Sequence, residues 1–206
     1  MNDPRPSGAA DDQPAADAND RRGADRYRTV WRIAKVKRDG DFGLWRVRNI
    51  SDQGMMLAAD VPIAVGERLE VALSDTVVIC GRVVWSEEGR CGVAFDEEVD
   101  VASVLKQLAA EQRAGDYRQP RLPVRTQAQA ITDERTSAIE LVDLSQNGAG
   151  FVHTGHFEVG KEFDLVLAGD IRRRAIVRWS RGDRGGLWLT QPLERSDLES
   201  ISRFQR

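Results

Sequence analysis

The sequence predicts an all-β protein: two small antiparallel β-barrels in tandem, with a linking helix between them and a short C-terminal helix. Three observations predict it. Apolar and polar residues alternate in short runs, as in strands with one buried face. Glycine and aspartate break those runs at the intervals expected of a small barrel or sandwich. The whole pattern then returns after 94 positions without a gap.

Taken in order, residues 1–20 hold no aromatic or β-branched side chain and cannot bury enough apolar surface to fold, so a mobile acidic tail is expected there. The first barrel is expected over 21–100. Trp45 and Val47 alternate with Arg46 and Arg48, and Leu69, Val71 and Leu73 alternate with Glu70 and Ala72. Val77, Ile79, Val83 and Trp85 share one parity around Gly81, which reads as a bend. Residues 101–116 form the linker: Val101, Val104, Leu105 and Leu108 recur at helical spacing, and Gly115 offers a stop. The second barrel is expected over 117–195. Residues 196–206 read as the C-terminal helix, with Ser196 as N-cap, Glu199 three residues on, and Leu198, Ile201 and Phe204 on one side.

The repeat is the firmest of these inferences. A shift of 94 pairs Asn49 with Asp143, Ser51 with Ser145, Gly54 with Gly148, and Gly66 with Gly160. It also pairs Trp85-Ser86 with Trp179-Ser180 and Gly92 with Gly186. A unit of this length is too long for a solenoid repeat and suits a complete small domain.

Composition narrows the function. The net charge of -3 argues against a general nucleic-acid binder, so direct DNA or RNA binding is not expected. A mildly acidic chain can still hold a small anion where arginines cluster. No apolar run approaches the roughly 20 residues of a membrane-spanning helix, and Met1–Asp20 lack the apolar stretch of a signal peptide. A cytoplasmic protein without membrane insertion is expected. Cys80 and Cys91 sit among strand residues and are expected to be reduced.

Two arginine clusters stand ahead of the two barrels. Arg22-x-x-x-Arg26, with Arg21 beside it, precedes Asn49-x-Ser51-x-x-Gly54. Arg118 and Arg121 precede Asp143-x-Ser145-x-x-Gly148. The planar guanidinium fork donates two hydrogen bonds at once, to phosphate or to the O6/N7 edge of guanine. Asn49 and Ser51 share a strand parity and face one side, while Gly54 permits a positive φ that lets the turn close.

In this order and spacing the residues resemble the PilZ domain family, whose members bind the bacterial second messenger cyclic di-GMP. The resemblance covers nearly all of the chain beyond the tail. It implies two barrels, no catalysis, no cofactor beyond the ligand, and an unidentified target protein. It places a ligand site on Arg21, Arg22, Arg26, Asn49, Ser51 and Gly54. A second, weaker site falls on Arg118, Arg121, Asp143, Ser145 and Gly148. The second is expected to be weaker because Arg121 is taken as the counterpart of Arg26, each preceding an apolar residue that opens the first strand, and the residue four positions before Arg121 is Tyr117 rather than arginine. Ligand binding is expected to order the Arg21–Arg26 segment and to rearrange the barrels or a partner surface. The alternative is a protein-interaction module that has kept the barrels without the ligand.

Other constellations are weaker. Asp143, Ser145 and His153 carry hydrolase residue types without a G-x-S-x-G elbow. His153 and His156 lack further metal ligands nearby. Arg172, Arg173 and Arg174 read as an exposed barrel edge. The five tryptophans read as core residues, with Trp188 the one expected to face outward.

Overall fold

A sheet whose strands alternate inward and outward side chains leaves two unpaired edges until the first strand meets the last. The computed structural model, which describes residues 32–115 and 118–205, shows that closure twice. The first barrel comprises β1 (Arg32–Arg38), β2 (Asp41–Ser51), β3 (Gly54–Ala58), β4 (Arg68–Ala72), β5 (Val78–Glu87) and β6 (Arg90–Phe95). Their order around the barrel is β1-β2-β3-β6-β5-β4, and the antiparallel pair Val36 with Val71 closes it. The second comprises β7 (Leu122–Ile131), β8 (Thr136–Ser145), β9 (Gly148–Val152), β10 (Glu162–Val166), β11 (Arg172–Arg181) and β12 (Arg184–Leu189), in the same order.

The repeat persists at the level of single hydrogen bonds. Gly66 N donates to Val83 O at 2.7 Å, and Gly160 N to Val177 O at 2.8 Å. Val99 N donates to Asp52 O at 2.9 Å, and Leu193 N to Gln146 O at 2.8 Å. Closed barrels have no edge strand, which corrects the reading of Arg172–Arg174 as an edge. β11 lies between β10 and β12, and Arg174 pairs with Glu162 and Asp164 across β10.

The linking helix α1 runs from Val101 to Ala114, capped by Asp100 and stopped by Gly115 in the left-handed region at φ 75°. The Asp100 carboxylate accepts from Ser103 Oγ and N, which holds its pKa below the usual value. Val101 and Leu108 are buried in the first core, with Val104 and Leu105 packed against it. Cys80 and Cys91 are both free. Burial, with Glu67 nearby, pushes the Cys91 thiol up to about 11, so it remains protonated and inert.

The C-terminal segment differs from the expected single helix. It forms two 3-10 turns, Arg195–Leu198 and Ile201–Phe204, and Ser196 caps neither; Ser200 caps the second. The reason is tertiary. The Glu199 side chain, expected to close a capping box, instead reaches the first barrel, where Oε2 accepts from Asp60 N at 2.5 Å. Glu199 O accepts from the buried Trp45 Nε1 at 2.9 Å, and Asp41 Oδ1 accepts from Ile201 N at 3.0 Å. Gly43 has no side chain to obstruct this approach: a Cβ there would collide with Glu199 O.

On the other side Leu198, Ile201 and Phe204 enter the second core, and Thr126 Oγ1 donates to Phe204 O. Leu44, from the first barrel, is buried in that second core, with Ile33 and Phe42 packed against it. The segment is therefore a strap that joins the barrels.

Two predictions follow from the strap. Phe204 is 0 % exposed, so Phe204→Ala should lower the unfolding free energy by about 3–5 kcal/mol, checked by urea denaturation. A loss under about 1 kcal/mol would mean that the strap is not part of the cooperative unit. The second concerns pH. Burial raises the pKa of Glu199, with the Asp60 carboxylate adding to the rise, while the Asp60 amide, Arg195 and Arg203 oppose it. The folded chain thus holds the Glu199 proton more tightly than the unfolded chain. This contribution to stability falls as pH rises from the ordinary glutamate value through the raised folded value. Glu199→Gln should shift the stability difference in the variant's favour between pH 4 and pH 7, measured by denaturation at each pH. A constant difference would refute it.

Candidate functional site

The signature turn is built alike in both barrels. Ser51 Oγ donates to Gly54 O at 3.2 Å, and Ser145 Oγ to Gly148 O at 3.1 Å. The serine hydroxyl fixes the turn between β2 and β3, or between β8 and β9. The expected positive φ at Gly54 is corrected: neither Gly54 nor Gly148 lies in the left-handed region. Glycine is required there by close packing of backbones. A Cβ on Gly54 would lie 2.5 Å from Val93 O, and one on Gly148 would lie 2.5 Å from Leu187 O.

In the second barrel the structure brings Arg118, Arg121, Asp143, Ser145 and Gly148 together along one cleft of about 940 Å³. Asp143 Oδ1 accepts from Arg121 Nη1 at 2.5 Å and from Gly150 N at 3.0 Å. The aspartate thereby tethers the arginine arm to the sheet. Asn147 Nδ2 donates to Gln119 Oε1 at 3.3 Å and ties the turn to the same arm. Among the described residues, neither Arg118 nor Arg178 has an acidic partner, so the cleft presents uncompensated guanidinium groups. Such a surface favours an anionic ligand.

Arg178, Trp179 and Trp188 also line this cleft, although the sequence pattern did not assign them to it. The register of β11 against β12 shifts between Val177 and Trp179. A bulge of this kind turns two consecutive residues to the same side. Val177 is buried, whereas Arg178 is exposed and Trp179 is 46 % exposed. The equivalent shift in β5 buries Val83 and leaves Trp85 38 % exposed. Trp85 and Trp179 are thus not core residues, because strict alternation fails at a bulge. Trp45 is buried, Trp188 is exposed as its parity suggested, and Trp31 lies outside the described residues. The Trp179 indole lies across Gly186, its register partner, where any Cβ would strike the ring.

In the first barrel Asn49 and Ser51 are half-buried on β2, with Gly54 opening β3. Arg21, Arg22 and Arg26 lie outside the described residues, as do the acidic tail and Tyr117. His153 Nδ1 donates to Gly155 O, and its ring packs at a tilt against Phe151 and Phe157. It is a packing residue. Asp143 makes its own contacts to Arg121 and Gly150.

Comparison with solved structures finds similar chains at low identity. The Borreliella burgdorferi PlzA protein in complex with c-di-GMP is 12% identical, with 90% of this chain and 95% of that chain covered and a TM-score of 0.39. The Bacillus subtilis inhibitor of motility MotI is 11% identical, covering 81% and 91%, with a TM-score of 0.35. Escherichia coli YcgR in complex with c-di-GMP is 12% identical, covering 79% and 76%, with a TM-score of 0.29. No curated protein matches. The PilZ domain model matches twice, over residues 20–111 and 116–204. With both barrels matched, the chain belongs to the PilZ domain family.

Proposed function

We propose that this chain is a cytoplasmic cyclic di-GMP receptor that acts by binding rather than by catalysis. The observation that carries the reading is the cleft on the second barrel, where an arginine arm, an aspartate-serine-glycine turn and an indole line one volume. Cyclic di-GMP presents two phosphodiester anions and two guanines. The guanidinium groups match the anions and the O6/N7 edges, and the indole offers a flat face for a base. Asn49, Ser51 and Gly54 form the corresponding turn on the first barrel, with Arg21, Arg22 and Arg26 ahead of it in sequence. Family membership supports both assignments.

Ligand neutralises the arginines and draws the Arg21–Arg26 arm onto the first barrel, as Asp143 and Asn147 already hold the second arm on its sheet, changing the surface shown to a target protein. The buried strap makes rotation of one barrel against the other the costlier route, so the first arm carries the signal. A second reading has one specific support: the first barrel exposes Val84 at 54 % beside Trp85, an apolar face suited to protein docking. One barrel sensing and the other docking would satisfy both.

Calorimetric titration of the whole chain with cyclic di-GMP should show saturable binding. Arg26→Ala combined with Arg121→Ala should weaken it by at least about tenfold at fixed salt, the effect of losing charge-assisted contacts. Absence of binding by the unaltered chain would remove the receptor reading and leave the docking module.

A further inference from the structure

The two barrels are not equivalent at the cleft, and three of the differing positions bear on what it can hold. Under the 94-residue shift, Arg178 stands where the first barrel has Val84, and Trp188 where it has Ala94. Gly150 stands where it has Met56. In both barrels this last position is the register partner of the signature residue: Gly150 faces Asp143, and Met56 faces Asn49. A Cβ on Gly150 would collide with the Asp143 carboxylate, so glycine is what lets Asp143 lie flat against β9 and accept from Gly150 N.

The bulge then places Arg178 and Trp179 on one side of β11, and Trp188 is 43 % exposed on β12. All three line the same cleft as Arg118 and Arg121. An exposed indole offers a flat apolar face, an arginine without an acidic partner among the described residues offers a planar fork, and together they suit a planar anion.

We infer that Arg178 and Trp188 complete the second site: Arg178 supplies the guanidinium that the arm lacks at position 117, and Trp188 stacks on a guanine face. The inference rests on the cyclic di-GMP reading above. It gives the second barrel a binding site in its own right, with a composition that the first barrel does not share. The broken spacing of its arginine arm is compensated from the sheet. A fork reaching phosphate or O6/N7 from a strand is held more rigidly than one on an arm, because the bulge fixes its direction.

The test uses the full chain with the first site disabled by Arg22→Ala, Arg26→Ala and Asn49→Ala, titrated with cyclic di-GMP. One ligand-binding event per chain should remain. Added Arg178→Ala and Trp188→Ala should each weaken it by at least about tenfold. Trp188→Phe should retain most of the affinity, and Arg178→Lys should recover only part, since lysine lacks the fork. Arg125→Ala, at an exposed β7 residue that does not line the cleft, should leave affinity unchanged. Both altered residues are exposed, and unchanged circular dichroism and denaturation midpoints will show that the variants fold.

If the unaltered chain binds and the disabled chain does not, the second barrel is no site and the inference fails while the receptor reading stands. If the disabled chain binds and neither Arg178→Ala nor Trp188→Ala matters, the site exists without these residues and the inference fails again. No binding by the unaltered chain overturns both.

Discussion

Two barrels that each close on themselves have no strand edge left with which to join, so their mutual placement depends above all on the strap at Glu199 and the side chains packed beside it. Its carbonyl takes the Trp45 indole proton and its carboxylate takes the Asp60 amide, both from the first barrel. Leu198, Ile201 and Phe204 take their places in the second core. A buried carboxylate is costly unless it is bonded, and here it is bonded to a backbone N–H with two arginines near it. The join is therefore specific in direction as well as apolar in content. Leu44 strengthens it by leaving its own barrel and packing into the other core.

This arrangement separates two roles along each repeat. One flank of the first barrel, β1 and β2, is committed to the join. The signature turns and the bulged strands remain at the surface, where a ligand or target can reach them. On the receptor reading proposed above, a signal read at the turns would reach a partner through the first arm and exposed side chains, with the paired cores as a fixed frame.

Much of this was legible in the sequence because its periodicities are local. Strand alternation, glycine at turns and the 94-residue repeat fixed the barrels, and helical spacing with Gly115 fixed α1. The aspartate-serine-glycine turn was legible as a motif, although its glycine serves backbone packing rather than left-handed geometry. The rest depends on contacts between distant segments. A bulge is a mismatch between two strands and leaves no mark on one strand alone, so Trp85 and Trp179 read as core. The capping box at Ser196 and Glu199 satisfied every local rule and lost to the amide of Asp60. Arg178 and Trp188 carry no motif; their meaning comes from the residues that stand at the equivalent places in the other repeat.

The strap also bears on how the molecule is made. It follows in chain order every strand that it joins, and its bonds to Trp45 and Asp41 span 154 and 160 residues. Loops of that length close late, after the short-range hairpins of each barrel. Each barrel can then reach its closed form before Leu44, Phe42 and Ile33 meet the strap residues Leu198, Ile201 and Phe204 against the second core. During that interval the nascent chain offers an apolar face that a chaperone, or a neighbouring copy, can meet before its own strap does.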